Sequence, residues 1–157
     1  MQITSRFTVA VHTLLAIYKF NKDYKTTSDF IATSVNVNPV VIRRTLQGLK
    51  AAGFVEVKAG SGGASITKPL DQITLYDVYV AMESLEGDLF HFHENPNPLC
   101  PVGRNIHRVL DKHLQEAQKA MEDKLKSVKL SDLTNDIDRL ISCLLYTSPS
   151  PRDPKTS

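Results

Sequence analysis

The pair Asn38-Pro39, answered downstream by Gly53, fixes one helix more firmly than any other feature of this chain. Asparagine is a strong N-cap, because its side-chain oxygen can accept a free backbone N–H. Proline suits the first helical position, where its missing N–H costs nothing. Ile42, Leu46 and Leu49 then recur at i, i+4 and i+7, the spacing of one buried stripe. Gly53 is a good left-handed residue with which to end the helix. Arg43, Arg44, Gln47 and Lys50 fall off the stripe. The predicted helix therefore has an apolar inner face and a basic, amide-bearing outer face. A helix that reads a DNA groove needs that combination.

The flanking sequence extends the pattern in both directions. A short helix is predicted over 26–34, with Thr26 and Asp29 resembling a capping box, and Val35-Asn36-Val37 makes the turn into the next helix. Residues 54–58 alternate apolar and charged side chains and read as a strand. Residues 59–64 form a glycine-rich tip, 65–67 a short return strand, and Pro69-Leu70 close the hairpin. A phosphate-cradling nucleotide loop is a poor match for that tip. A strand follows it instead of a helix, and the Gly-Lys-Ser/Thr ending is absent.

Upstream, a helix is predicted over 5–20 with Thr4 as N-cap and Phe7, Val11, Leu14 and Tyr18 as its buried stripe. Downstream, Thr74 and Asp77 form a second capping-box pair. The helix they open carries Leu75, Val78, Met82 and Leu85 at helical spacing. An irregular loop over 86–99, with Pro96 and Pro98, leads to a long helix starting at Pro101. Its apolar residues Val102, Ile106, Val109, Leu110, Leu114, Ala117, Met121 and Leu125 alternate steps of three and four. Such a stripe packs either on a partner subunit or across its own domain. A further short helix is predicted over 130–140. The fold class is thus mainly α with a small β-hairpin wing: a winged helix-turn-helix domain plus a long dimerisation helix. The expected organisation is 1–85 for the winged domain, 86–100 for a sensor-type loop and 101–141 for the dimerisation region.

Charge supports the same division. Residues 1–60 hold eight Lys/Arg and three acidic residues, a balance of +5 within a chain whose net charge is +2. A phosphate backbone is drawn to that end, although a solvated basic face gives the same balance. The longest apolar stretch, 9–17, is broken by His12 and is too short to span a bilayer. It also lacks the small-residue cleavage site of a signal peptide. Two cysteines give no disulfide framework, so a cytoplasmic protein is expected. No nucleophile–base motif, metal spacing or cofactor fingerprint points to an enzyme. Residues 143–153 read CLLYTSPSPRD and resemble one reading frame of a transposase sequencing adaptor, so 142–157 are read as a non-native tail.

Two features together carry a family resemblance. One is the N-terminal run Met1-Gln2-Ile3-Thr4-Ser5-Arg6-Phe7, leading directly into a helix. The other is the wing Gly60-x-Gly62-Gly63 following Gly53-Phe54-Val55. Over residues 1–135 the chain resembles the Rrf-two family of bacterial winged helix-turn-helix regulators. That resemblance implies a homodimeric repressor with crossing C-terminal helices, reading double-stranded DNA at a pseudo-palindromic operator. It places Asn38, Val40, Val41 and Arg43 near base edges, with Arg44 and Gln47 close by. Thr4, Ser5, Arg6, Gly60, Ser61 and Gly62 would meet phosphates. Ala59 stands where several family members carry a basic wing residue, so no contact is carried over there.

Cluster-binding members carry further cysteines in the loop before the long helix, whereas this loop has only Cys100. Neither an iron–sulfur cluster (Cys100 with His91, His93 and His107) nor a zinc site has a standard ligand set. No cofactor is expected. Cys100 would sit at the N-cap of the long helix, where free N–H groups and the helix dipole favour a thiolate. It is either a redox sensor or a small residue packing the loop. The alternative to DNA binding is a winged-helix module that docks an acidic protein partner.

Overall fold

The computed structural model describes residues 5–59, 62–83 and 94–147, with side chains through residue 143. Six helices and one hairpin follow in the order α1 (Ser5–Phe20), α2 (Ser28–Val35), α3 (Pro39–Ala51), β1 (Val55–Lys58), β2 (Gly63–Ile66), α4 (Leu75–Met82), α5 (Pro101–Lys126) and α6 (Leu130–Thr147). A single 3-10 turn, Leu70–Gln72, leads from the hairpin towards α4.

Helix α3 forms as its local chemistry dictates. The Asn38 side chain accepts from the Val40 N–H, Pro39 occupies the first turn, and Gly53 takes φ +83° just past the end. Ile42, Leu46 and Leu49 are all buried. Asn36, in the left-handed region at φ 64°, ends α2 and makes the tight turn. The cap of α2 lies one residue later than the sequence predicts. Thr27, not Thr26, accepts from the Phe30 N–H, while Thr26 is buried with its hydroxyl donating to the Ala64 carbonyl.

The core joins Leu14 and Ile17 of α1, Ile31 of α2, Ile42 and Leu49 of α3, Ile73, Val78 of α4 and Leu130 of α6, all fully buried. The buried face of α1 departs from expectation. Ala10, Thr13, Leu14, Ala16 and Ile17 face inward, Phe7 and Val11 are partly covered, and Tyr18 is exposed. The Tyr18 hydroxyl instead donates to Asp138 of α6 at 2.9 Å. On α4 the capping box between Thr74 and Asp77 forms as read, but Leu75 and Met82 are only partly buried and Tyr79 joins Val78 inside. Leu85 lies outside the described residues.

The hairpin is antiparallel, in register from Val55 opposite Ile66 to Lys58 opposite Gly63. Gly63 and Ala64, expected in the tip, belong to the return strand. Helix α5 returns to the domain at its C-terminal end. The Leu75 N–H donates to the Val128 carbonyl and the Leu130 N–H to the Ile73 carbonyl, and Lys126 sits 4.6 Å above the Tyr76 ring. No residue of α5 is buried. Helix α6 extends beyond the expected 130–140 to Thr147.

Candidate nucleic-acid interface

The α2–α3 unit presents one face of α3 to solvent. Val40 and Val41 are exposed at its first turn, and Arg43, Arg44, Gln47 and Lys50 are exposed along it. The side-chain oxygen of Asn38 is engaged by the Val40 N–H at 2.9 Å. That bond caps the first turn of the helix. Val40 and Val41 offer methyl groups suited to thymine, Arg43 and Arg44 suit guanine, and Gln47 suits adenine. Arg43 also lies 3.9 Å from Asp29 on α2, with both side chains largely in solvent. Thr45 points inward and donates to the Val41 carbonyl.

The wing is pinned beside this face. The Ala64 N–H donates to the Thr26 carbonyl at 2.9 Å, and the Asn21 amide and Thr26 hydroxyl both donate to the Ala64 carbonyl. Gly63, at φ +79°, makes the close approach possible, since a Cβ there would stand 2.9 Å from the Thr26 nitrogen. Between α3 and β1 this leaves an open groove lined by Ser28, Arg43, Leu46, Gln47, Lys50, Val57, Lys58 and Ala59. Sequence reasoning singled out neither Ser28 nor Lys58. Lys58 carried one signal, its place at the root of a glycine tip.

The remaining assignments divide. Ser5 is exposed at the start of α1. Arg6 is exposed, but its guanidinium lies 3.5 Å from the buried carboxylate of Glu83. Gly62 is exposed, with the Lys58 stem over its bare α-carbon. Thr4, Gly60, Ser61, His91 and His93 lie outside the described residues. Cys100 is exposed at the N-cap of α5, as expected, and its side chain makes no capping hydrogen bond. His107 pairs with Asp111 one turn on, at 3.0 Å. Among the described residues no three His, Cys, Asp or Glu side chains converge as metal ligands.

Comparison with known proteins accounts for this architecture. The Rrf2 family model, described as "Iron-dependent Transcriptional regulator", matches residues 3–136. YwnA of Bacillus subtilis (strain 168), provisionally named an HTH-type transcriptional regulator, is 46% identical over 135 residues, covering 86% of this chain and 98% of YwnA. A crystal structure provisionally named a DNA binding protein superposes with TM-score 0.65 at 40% identity, covering 82% of this chain and 98% of that one. A provisionally named transcriptional regulator from Lactobacillus plantarum shares the fold at TM-score 0.74 and 23% identity, over 92% of this chain and 97% of its own. With an exposed basic helix beside its wing, and matched over nearly its whole length by this family, the chain belongs to the Rrf2 family of DNA-binding transcriptional regulators.

Proposed function

We propose that this chain is a homodimeric repressor that reads a pseudo-palindromic operator in the cytoplasm and acts by binding alone. The observation that carries the reading is the outer face of α3, where Val40, Val41, Arg43, Arg44 and Gln47 stand exposed beside the wing. In that arrangement α3 enters the major groove and the wing follows the backbone.

Helix α5 supports the dimer. It has 26 residues, none of them buried, and Val102 and Val109 are 70% and 61% exposed. An apolar stripe of that length is stable in water when a second copy covers it. An open apolar groove on α1, α4 and α6, lined by Phe7, Val11, Leu15, Leu75, Leu133 and Ile137, adds surface of the same character.

The family description names iron, but the described donor set does not fit an iron–sulfur cluster. Cys100 is the one thiol near the head of α5, Cys143 lies on α6, and His107 is turned to Asp111. The regulation proposed here therefore runs through no cluster. Cys100, exposed where the preceding loop meets α5, is the position at which an oxidant or electrophile would act.

Selection of bound sequences from a random duplex library tests the function and its symmetry together. The expected result is a palindromic consensus with two half-sites about one helical turn apart. No enrichment, with capture of an acidic protein instead, would overturn it in favour of a protein-docking module.

A further inference from the structure

We infer that the groove between α3 and β1 is a seat for a backbone phosphate of the bound duplex, held by Lys50 and Lys58. The inference rests on the DNA-binding reading above and divides the basic residues of that face into two roles. The open groove has a volume of about 430 Å³, room for a phosphate group with its waters. Lys50 reaches it from the last turn of α3 and Lys58 from the end of β1. Neither lysine has an ion-pair partner among the described residues, unlike Lys19, Lys119, Arg43 and Arg139.

Two further observations fit a built seat. Gly62 is bare where the Lys58 stem crosses it, and a Cβ at that position would strike the Lys58 Cβ. The absent side chain lets the stem lie flat against the wing, where Lys58 lines the groove. The nearby carboxylate of Asp29 stands by Arg43, at 3.9 Å, and partly balances that charge. A phosphate is thus drawn to the two uncompensated ammonium groups, which suit it as compact point charges. Arg43 keeps its planar fork for a base edge.

The test measures binding of the full chain to the selected consensus duplex and to a random-sequence duplex of equal length, across a salt series. Lys50→Ala and Lys58→Ala should each weaken both duplexes by the same factor and lower the salt slope by about one. Gly62→Ala keeps both charges but displaces the Lys58 stem, and should reproduce the loss seen in Lys58→Ala. Unchanged slopes, wild-type affinity in Gly62→Ala, or a loss confined to the consensus duplex would each overturn the seat. Wild-type protein with no salt-dependent duplex binding would fail the proposed function itself and the seat with it. The two failures are therefore distinguishable.

Discussion

Gly63→Ala should damage this fold far more than Gly53→Ala, although both residues adopt positive φ. Gly53 sits at φ +83° with nothing within 4 Å of a Cβ built on it, and Gly63 at φ +79° with the Thr26 nitrogen at 2.9 Å, its carbonyl carbon at 3.1 Å and its oxygen at 3.2 Å. Placing an L side chain in the left-handed region costs about 1–2 kcal/mol at either position. Gly63→Ala adds an overpacking cost of about 1–3 kcal/mol, because the opposing atoms are backbone and cannot rotate away. The same movement stretches the hydrogen bond from the Ala64 N–H to Thr26. With a urea m-value of about 2 kcal/mol/M, Gly53→Ala should lower the unfolding midpoint by about 0.5–1 M and Gly63→Ala by about 1–2.5 M. Gly63→Ala should also weaken duplex binding, since the base of the wing shifts against α3. Equal midpoints for the two variants would refute the claim that β2 is pressed against Thr26.

Leu114→Asp places a charge in the apolar stripe of α5, where burying the leucine contributes about 1.5–3 kcal/mol. The variant should sediment as a monomer and lose operator binding, and a wild-type protein that is monomeric yet binds a palindrome tightly would contradict the dimer. The Thr13 hydroxyl is buried without a hydrogen-bond partner among the described residues. Thr13→Val should therefore raise stability by about 1 kcal/mol in urea melts, and a loss would reveal a missed partner. The Tyr18 hydroxyl, and secondarily Lys19, holds the Asp138 carboxyl below its ordinary range. That stabilisation is present above the ordinary aspartate pKa of about 3.9 and is lost as pH falls through the lower folded value. Asp138→Asn should flatten the acid limb of melting temperature against pH. Tyr18 is raised above its usual range by the same hydrogen bond, so its contribution holds below about pH 10 and is lost as pH rises through its folded value.

What was legible in the sequence follows the range of the interactions concerned. Helix α3 was readable end to end because its signals are local: Asn38 caps the second residue of its own helix, Pro39 presets the first turn, and Gly53 takes the left-handed exit. The capping box of α4 is equally local. The cap of α2 was misplaced by one residue because two threonines stand side by side and both can cap. The choice is made by Ala64, 38 residues away, whose carbonyl binds the Thr26 hydroxyl and leaves Thr27 to the helix. The face of α1 was misjudged for a related reason. Apolar residues run around most of that helix, so periodicity selects no unique stripe, and Asp138 of α6 draws Tyr18 outward.

The candidate site divides in the same way. Residues on one helix, such as Arg43, Arg44 and Gln47, were found by their common distance from the buried stripe. The groove was not, because its two lysines are brought together by a turn and not by a period. Gly53 reverses the chain after α3, Phe54 and Val55 bury themselves in the core, and Lys58 returns beside Lys50. The +5 balance of residues 1–60 signalled that positive charge gathers in this half of the chain. Its arrangement depends on Gly63, whose close contact with Thr26 holds the wing beside α3 and so fixes the distance between that helix and the strand that carries Lys58.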